Sequence, residues 1–294
     1  MKGNMLILAP LCLLLLWMLP VDSMGNIFIK LQNMEQGIPL NMAEDSVDDM
    51  YFGCSKQMMK KVKQYKIKNM SKDKEFADAW KKAKKCASKK KIRDKGLTRE
   101  HLKAICAFTS NDIYQTFNDA VRNDGKNYLS SFNFQALHFL LTSAIQILND
   151  NQPCLTAYRR TKLRFEGQVN QRIRFGSFAS SSRKTGLTDF GHETCFQIKT
   201  CSGAPLKHYS VYESEQEILI PPYEVFVITE KIEHQSISSS YPHEELLILP
   251  NEMFKIPKKI QGKNKIDGLS DCKLIYILES AGAKSTLNCK DVRT

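Results

Sequence analysis

The sequence predicts an α+β protein, with helices gathered in the first part of the chain and strands in the second. Three observations carry that reading. Up to about residue 150, apolar residues recur three and four positions apart, the period of an amphipathic helix. Beyond Pro153 the period changes to alternation, in short runs separated by Gly, Ser, Asn and Pro, as half-buried strands require. Helices first and strands later, with no G-x-G-x-x-G, argue against an alternating α/β dinucleotide fold.

Taken in order, the chain starts with Lys2, an apolar run from Met5 to Leu19, and then Pro20, Val21, Asp22 and Ser23. This is the pattern of a secretory signal peptide over residues 1–23. The run is short for a membrane span, and no second apolar stretch of about 18 residues follows it. One domain is expected over 24–294, mainly helical over 24–153 and mainly β over 154–294. In the helical part, Phe76, Ala79, Trp80 and Ala83 form one stripe, and Leu102, Ile105 and Cys106 a second. Phe134, Leu137, Leu141, Ala144 and Leu148 form a third. Thr98 is placed to cap the second helix, and Ser131 or Asn133 the third. His138, beside the third stripe, reads as a packed and hydrogen-bonded histidine rather than a catalyst. Asp150, Asn151, Gln152 and Pro153 break the helical pattern. The strand candidates are KLRFE, QRIRFG, CFQIKTC, HYSVY, EILI, YEVFVITE, ELLIL and KLIYILE. ELLIL is the one short strand in a polar stretch over 233–271 that reads as a surface insertion.

The net charge of +12 is concentrated in WKKAKKCASKKKIRDK, from Trp80 to Lys95. Such a run is ordinarily the solvated face of a helix; the alternative is weak affinity for an anionic surface such as glycosaminoglycan or phospholipid. Specific nucleic-acid binding is not expected, because no aromatic interleaving or recognition motif accompanies the run. Of nine cysteines, Cys12 lies in the signal, and the other eight enter an oxidising compartment. An even set there points to disulfides whose pairing the spacing leaves open. No C-x-x-C pair occurs and the histidines are scattered singly, so no metal is expected. Asn69-Met70-Ser71 is an N-glycosylation acceptor that, if used, fixes its segment at the surface. The chain stops at the polar CKDVRT, so secretion without a membrane anchor is expected.

Three polar features fall within or beside the strands: Arg159 in AYRRTKLRF, Ser180-Ser181-Ser182 in FGSFASSSR, and Glu215 with Glu217 in EQEILIPPYE. Residues two apart in a strand share a face. Glu215 and Glu217 are therefore expected side by side, their repulsion raising the pKa of one. Each feature alone is weak. In the order Arg, Ser, Glu-x-Glu they match the R-S-ExE signature, and the chain resembles the vertebrate arginine-specific ecto-mono-ADP-ribosyltransferases. The resemblance runs through FGCSK at Phe52 to Lys56, SFNFQALHFLLTSAIQIL at Ser131 to Leu148, IRFGSFASSS, TCSGAP at Thr200 to Pro205, HYS at His208 to Ser210, EILIPPYEVF and STLNC at Ser285 to Cys289. It keeps the family order and covers nearly the whole mature chain.

The resemblance implies an N-terminal helical region packed against a C-terminal mixed β-sandwich that binds NAD as substrate, with no metal. It implies a monomer that acts on arginine side chains of extracellular or cell-surface proteins. Cleaving the bond between nicotinamide and ribose builds positive charge on the ribose, which a carboxylate stabilises, and that place falls to Glu217. An arginine acceptor arrives as a cation with a very high pKa, and Glu215 is the acid that holds it and helps it shed a proton. Arg159 offers a planar fork to the pyrophosphate. Ser180 orients the catalytic glutamate and lines the nicotinamide pocket, and no histidine base marks it as a nucleophile. Ser177 and Ser210 fall where relatives contact NAD, and Phe108 where relatives carry a tyrosine near the adenine. The chain departs from the family at Tyr158-Arg159-Arg160, where Y-R-G is usual; the segment after it is also shorter, which leaves both Arg159 and Arg160 in question as the phosphate ligand. Ser177 stands where Gln is common. By resemblance Cys54 pairs with Cys289 and Cys154 with Cys201. Cys86, Cys106, Cys195 and Cys272 stay open, with Cys86 to Cys106 as one option. Three functions follow: an arginine ADP-ribosyltransferase, an NAD glycohydrolase using the same pocket, and an idle basic protein that binds anionic surfaces.

Overall fold

The computed structural model describes residues 37–150, 152–234 and 266–293; the expected signal peptide, the ELLIL strand and most of the expected insertion lie outside the described residues. The helical part contains α1 (Ser55–Lys72), α2 (Lys74–Lys89), α3 (Arg99–Thr109), α4 (Tyr114–Asn123) and α5 (Gln135–Asn149). The three stripes read from the sequence are the buried faces of α2, α3 and α5. Helices α1 and α4 escape that reading because their stripes are thin: α1 buries only Met58, Val62 and Asn69, and α4 only Phe117, Asn118 and Val121.

Thr98 caps α3 as expected. Its Oγ1 accepts from the His101 backbone N, and His101 Nδ1 accepts from the Thr98 backbone N at 3.0 Å, a reciprocal box with histidine in the usual glutamate's place. Burial lowers the His101 pKa to about 4, which keeps Nδ1 free to accept. Neither Ser131 nor Asn133 caps α5. That helix begins at Gln135 behind Phe134 with no side-chain cap of its own. Asn69 of α1 serves instead: its Oδ1 accepts from the Ala136 N at 3.3 Å and its Nδ2 donates to Gln135 Oε1 at 2.8 Å. Asn69 is fully buried, with its Nδ2 taken up by Gln135. His138 is packed as read, with Nδ1 against Tyr51 Oη at 2.8 Å and Nε2 against Val47 O at 2.9 Å.

The strands are β1 (Ile38–Pro39), β2 (Leu155–Thr161), β3 (Phe165–Glu166), β4 (Arg172–Arg174), β5 (Ala179–Ser182), β6 (Thr194–Thr200), β7 (Ala204–Pro205), β8 (Glu217–Ile220), β9 (Glu224–Glu233) and β10 (Leu274–Ala283), followed by a last turn of helix, α6 (Lys290–Arg293). β1 pairs with β3, and the other eight form one mixed sheet in the order β4-β9-β10-β6-β2-β5-β8-β7. Only the β10 to β6 ladder in that sheet is parallel. A single pair, Tyr158 opposite Ser182, joins β2 to β5. The two parts of the sheet close over one apolar cluster that contains Ile218 and Ile220 of β8 together with Phe196, Phe226, Ile228 and Tyr276. Leu219, on the opposite face of β8, joins Phe178 in the core of the helical part. Burial on both faces explains why β8 reads EILI rather than alternating.

Two strand expectations are overturned. HYSVY is not a strand: Lys207–Tyr209 form a 3₁₀ turn with Lys207 at φ 54°, and Tyr209 turns into the core. KLRFE contributes only the two residues of β3, and the long strand lies before it, over Leu155–Thr161. Four disulfides form. Cys54–Cys289 and Cys154–Cys201 are the pairs the resemblance implied, and Cys86–Cys106 and Cys195–Cys272 complete the set. Arg174 and Asp48, both inaccessible, pair at 2.7 Å, and Asp48 also accepts from the backbone N of Thr286 and Leu287. The start and end of the domain are thus tied together by charge as well as by Cys54–Cys289.

Candidate active site

The register of β5 on β8 brings the serines to Glu217. Ser182 lies directly opposite Glu217, and Ser180, two residues along on the same face, is its diagonal neighbour. Ser180 Oγ donates to Glu217 Oε1, and Ser210 Oγ donates to Oε2 at 2.9 Å. Glu217 is 7% exposed. Burial raises its pKa; the two serine donors pull in the opposite direction, and the charge of Glu215 adds to the rise. Ser210 is itself fully buried and grips the glutamate.

Glu215 is not in the strand. It ends a 3₁₀ turn, Glu213–Glu215, and Gln216 adopts the left-handed conformation at φ 50°, ψ 49° before β8 begins. The expected strand geometry for the two acids is therefore wrong, because the backbone reverses its alternation between them. Both carboxylates nevertheless face one cleft. Burial is the cause of a raised pKa at Glu215, and the repulsion expected from the sequence appears as a lesser contribution at Glu217. The segment from Leu206 to Gln216 is held by the helical part. Lys90, from the basic run, donates its Nζ to His208 O at 2.7 Å and Ser210 O at 2.8 Å and pairs with Glu213 at 3.1 Å. Thr109 Oγ1, at the end of α3, accepts from the Val211 N at 3.0 Å.

The two arginines of β2 have different fates. Arg159 Nη1 donates to Ser180 O at 2.5 Å, which places its guanidinium along the serine strand at the cleft. Arg160 engages all five of its donors inside the protein, on Thr185 O, Gly191 O, Gly268 O and both oxygens of Asp271. Arg160 therefore has no donor left over, whereas Arg159 lines the cleft. A second guanidinium, Arg122, interacts unfavourably with Arg159 and donates to Ser177 Oγ at 3.3 Å. Ser177 thus supports Arg122.

The cleft has a volume of about 280 Å³. Phe108 lies in its floor, fully buried and packed on Tyr114, Phe117 and Phe178, so no free face of its ring is offered to a ligand. Beside Tyr158 of β2, the aromatic and apolar wall comes from residues that carry no motif: Tyr114, Leu187, Phe190 and Tyr212. These four lie in loops, in the 3₁₀ turn Thr188–Phe190 or at a helix start, where no periodicity marks a side chain as facing a site. Among the described residues, no group of three or more His, Cys, Asp or Glu could hold a metal ion.

A family profile described as NAD:arginine ADP-ribosyltransferase matches residues 40–239. NAD(P)(+)--arginine ADP-ribosyltransferase 2 of Gallus gallus is 38% identical over 202 residues, which are 65% of this chain and 64% of that one. Ecto-ADP-ribosyltransferase 5 of Bos taurus is 37% identical over 206 residues, 65% of each chain. The match spans just under two thirds of the length of these two relatives. Among solved structures, the eukaryotic mono-ADP-ribosyltransferase ART2.2 superposes with a TM-score of 0.65 at 29% identity, covering 86% of this chain and 98% of that one. A mutant of the same protein in complex with NAD superposes with a TM-score of 0.64 at 28% identity.

Proposed function

The chain belongs to the NAD:arginine ADP-ribosyltransferase family, and from that premise we propose that it transfers ADP-ribose from NAD to arginine side chains of extracellular or cell-surface proteins, releasing nicotinamide. The observation that carries this reading is Glu217, buried at the cleft with a serine on each carboxylate oxygen and a second acid, Glu215, two residues away. Arg159 takes the pyrophosphate of NAD. As the bond between the ribose carbon and the nicotinamide nitrogen breaks, its electron pair leaves with nicotinamide, and the positive charge that develops on the ribose faces the Glu217 carboxylate. Ser180 and Ser210 fix that carboxylate in one orientation. The acceptor guanidinium docks against Glu215, attacks the ribose carbon from the side opposite nicotinamide, and loses one proton in doing so. The configuration at that carbon is inverted.

Glu215 favours transfer over hydrolysis, because water needs no anion to dock it. Labelled NAD with agmatine or polyarginine, tested on the wild type, Glu215→Gln and Glu217→Gln, decides the matter. Transfer lost in both variants, with hydrolysis surviving only in Glu215→Gln, is the expected result; nicotinamide release by the wild type without acceptor labelling would instead make the chain a glycohydrolase. The four disulfides suit an oxidising compartment, and residues 1–23 then act as a secretory signal on a monomeric chain. Among the described residues no helix is long and apolar enough to cross a membrane. A weak affinity for anionic surfaces through Trp80 to Lys95 accompanies the enzyme activity, favoured by the exposed lysines of that run, such as Lys84, Lys85 and Lys89.

A further inference from the structure

The end of β2 carries a guanidinium that the transfer chemistry does not use. Arg160 is 7% exposed, and its donors reach two separate segments. Nε donates to Thr185 O at 2.6 Å and Nη1 to Gly191 O at 3.4 Å, both in the segment that follows β5. Nη2 donates to Gly268 O at 2.7 Å, and the two Nη groups form a bidentate pair with Asp271 at 2.9 Å each, in the turn before β10. That turn is a fixed base. Cys272 is bonded to Cys195 of β6, and Leu269 is buried beside them. The two segments also meet closely, since a Cβ on Gly268 would sit 2.1 Å from Thr185 Oγ1.

Between the two anchored carbonyls lie Leu187 and Phe190, which line the cleft. Phe190 is 52% exposed, so packing alone does not hold it. The other described hydrogen bonds of Thr185 to Gly191 stay within that segment, and those that leave it end on Arg160. We infer that Arg160 and Asp271 are positioning residues that clamp this segment and so hold Leu187 and Phe190 as a preset wall against a flat ring of NAD. The inference rests on the reading of the cleft as the NAD site. A wall set before binding spares the ordering cost at the moment of binding, so its loss weakens NAD capture more than the chemical step.

The test compares the wild type with Arg160→Met and Asp271→Asn. Arg160→Met keeps side-chain bulk and leaves Asp271, whose side chain is 46% exposed, to water. The KM for NAD is expected to rise about tenfold in Arg160→Met with kcat on agmatine within about twofold. Asp271→Asn moves the same way by less, because the bonds to Thr185 and Gly191 survive. Trypsin cleavage after Arg183 or Lys184, both exposed, should accelerate in both variants and be slowed by NAD. An unchanged KM, or a fall in kcat and Tm with KM unmoved, overturns the inference. If Arg160→Met does not fold, Asp271→Asn decides alone. If the wild type neither binds nor turns over NAD, the reading of the site has failed. The cleavage rate without NAD still judges the clamp, and equal rates in all folded proteins refute it.

Discussion

Glu217 is a carboxylate whose charge the proposed reaction uses and whose surroundings resist that charge. A folded-state pKa raised above the unfolded value of 4.5 means stability is fully present below 4.5 and lost as pH rises through the folded value. At pH 7 the ionised Glu217 therefore costs stability. Glu217→Gln keeps an acceptor and a donor for Ser180 and Ser210, so it should raise Tm at pH 7, with the advantage over wild type closing as pH falls through the folded value and gone below 4.5. The same change should cut transfer by about 10²–10³-fold or more. Thermal unfolding of both proteins across that pH range checks the sign; a lower Tm for the variant at pH 7 would mean that the serine bonds outweigh burial. Arg159→Lys keeps the charge and removes the fork, and steady-state kinetics should show the KM for NAD up about tenfold with less change in kcat. At this scale the sequence picked out side chains that share one cleft, Arg159, Ser180, Glu215 and Glu217, because their order forms a motif. Their placement was not legible. Nothing in E-Q-E announces the left-handed Gln216, and nothing in HYS announces that its serine holds a glutamate.

Elements are set by what covers them as much as by their own pattern. Thr98 could be read as a cap because its partner, His101, lies three residues away; the start of α5 could not, because Asn69 caps it from another helix. The bridge between Cys86 and Cys106 is of the same kind. It joins α2 to α3, and α3 ends in Phe108 and Thr109, which reach the cleft floor and the segment bearing Glu215. Its closed loop of 20 residues predicts a loss of about 3 kcal/mol when both cysteines become Ala, or roughly 6–12 °C in Tm. The KM for NAD should stay within about twofold, since the packing of α2 on α3 remains through Trp80, Ala83, Leu102 and Ile105. Calorimetry and steady-state kinetics on the double variant measure both. A large rise in KM without a fall in Tm would show that the bridge shapes the cleft instead of holding the fold.

Over the whole molecule, two cores share one strand, and the charge is as unevenly divided as the secondary structure. The order of helices then strands was legible because a change of period needs no partner to be seen. The junction of β2 with β5, made through one residue pair, was not, because it depends on pairing between separate segments of the chain. Residues 55–95, spanning α1, α2 and the loop after them, hold 17 basic and four acidic side chains, so their excess matches the whole chain's net +12 to within one charge. Some of these lysines are structural, as Lys90 is at the segment bearing Glu215. Lys84, Lys85 and Lys89 are exposed and have no described acidic partner. A charge run that only solvates a helix would bind a sulfated polymer no better than any other basic protein of equal net charge. A surface suited to anions concentrates its effect in place, and that effect is screened by salt. Neutralising Lys84, Lys85 and Lys89 to Gln should therefore lower the salt needed to elute the protein from heparin more than neutralising Lys162, Lys199 and Lys273 in the β part, with transfer to agmatine unchanged in both. Equal shifts for the two triple variants would reduce the basic run to net charge alone.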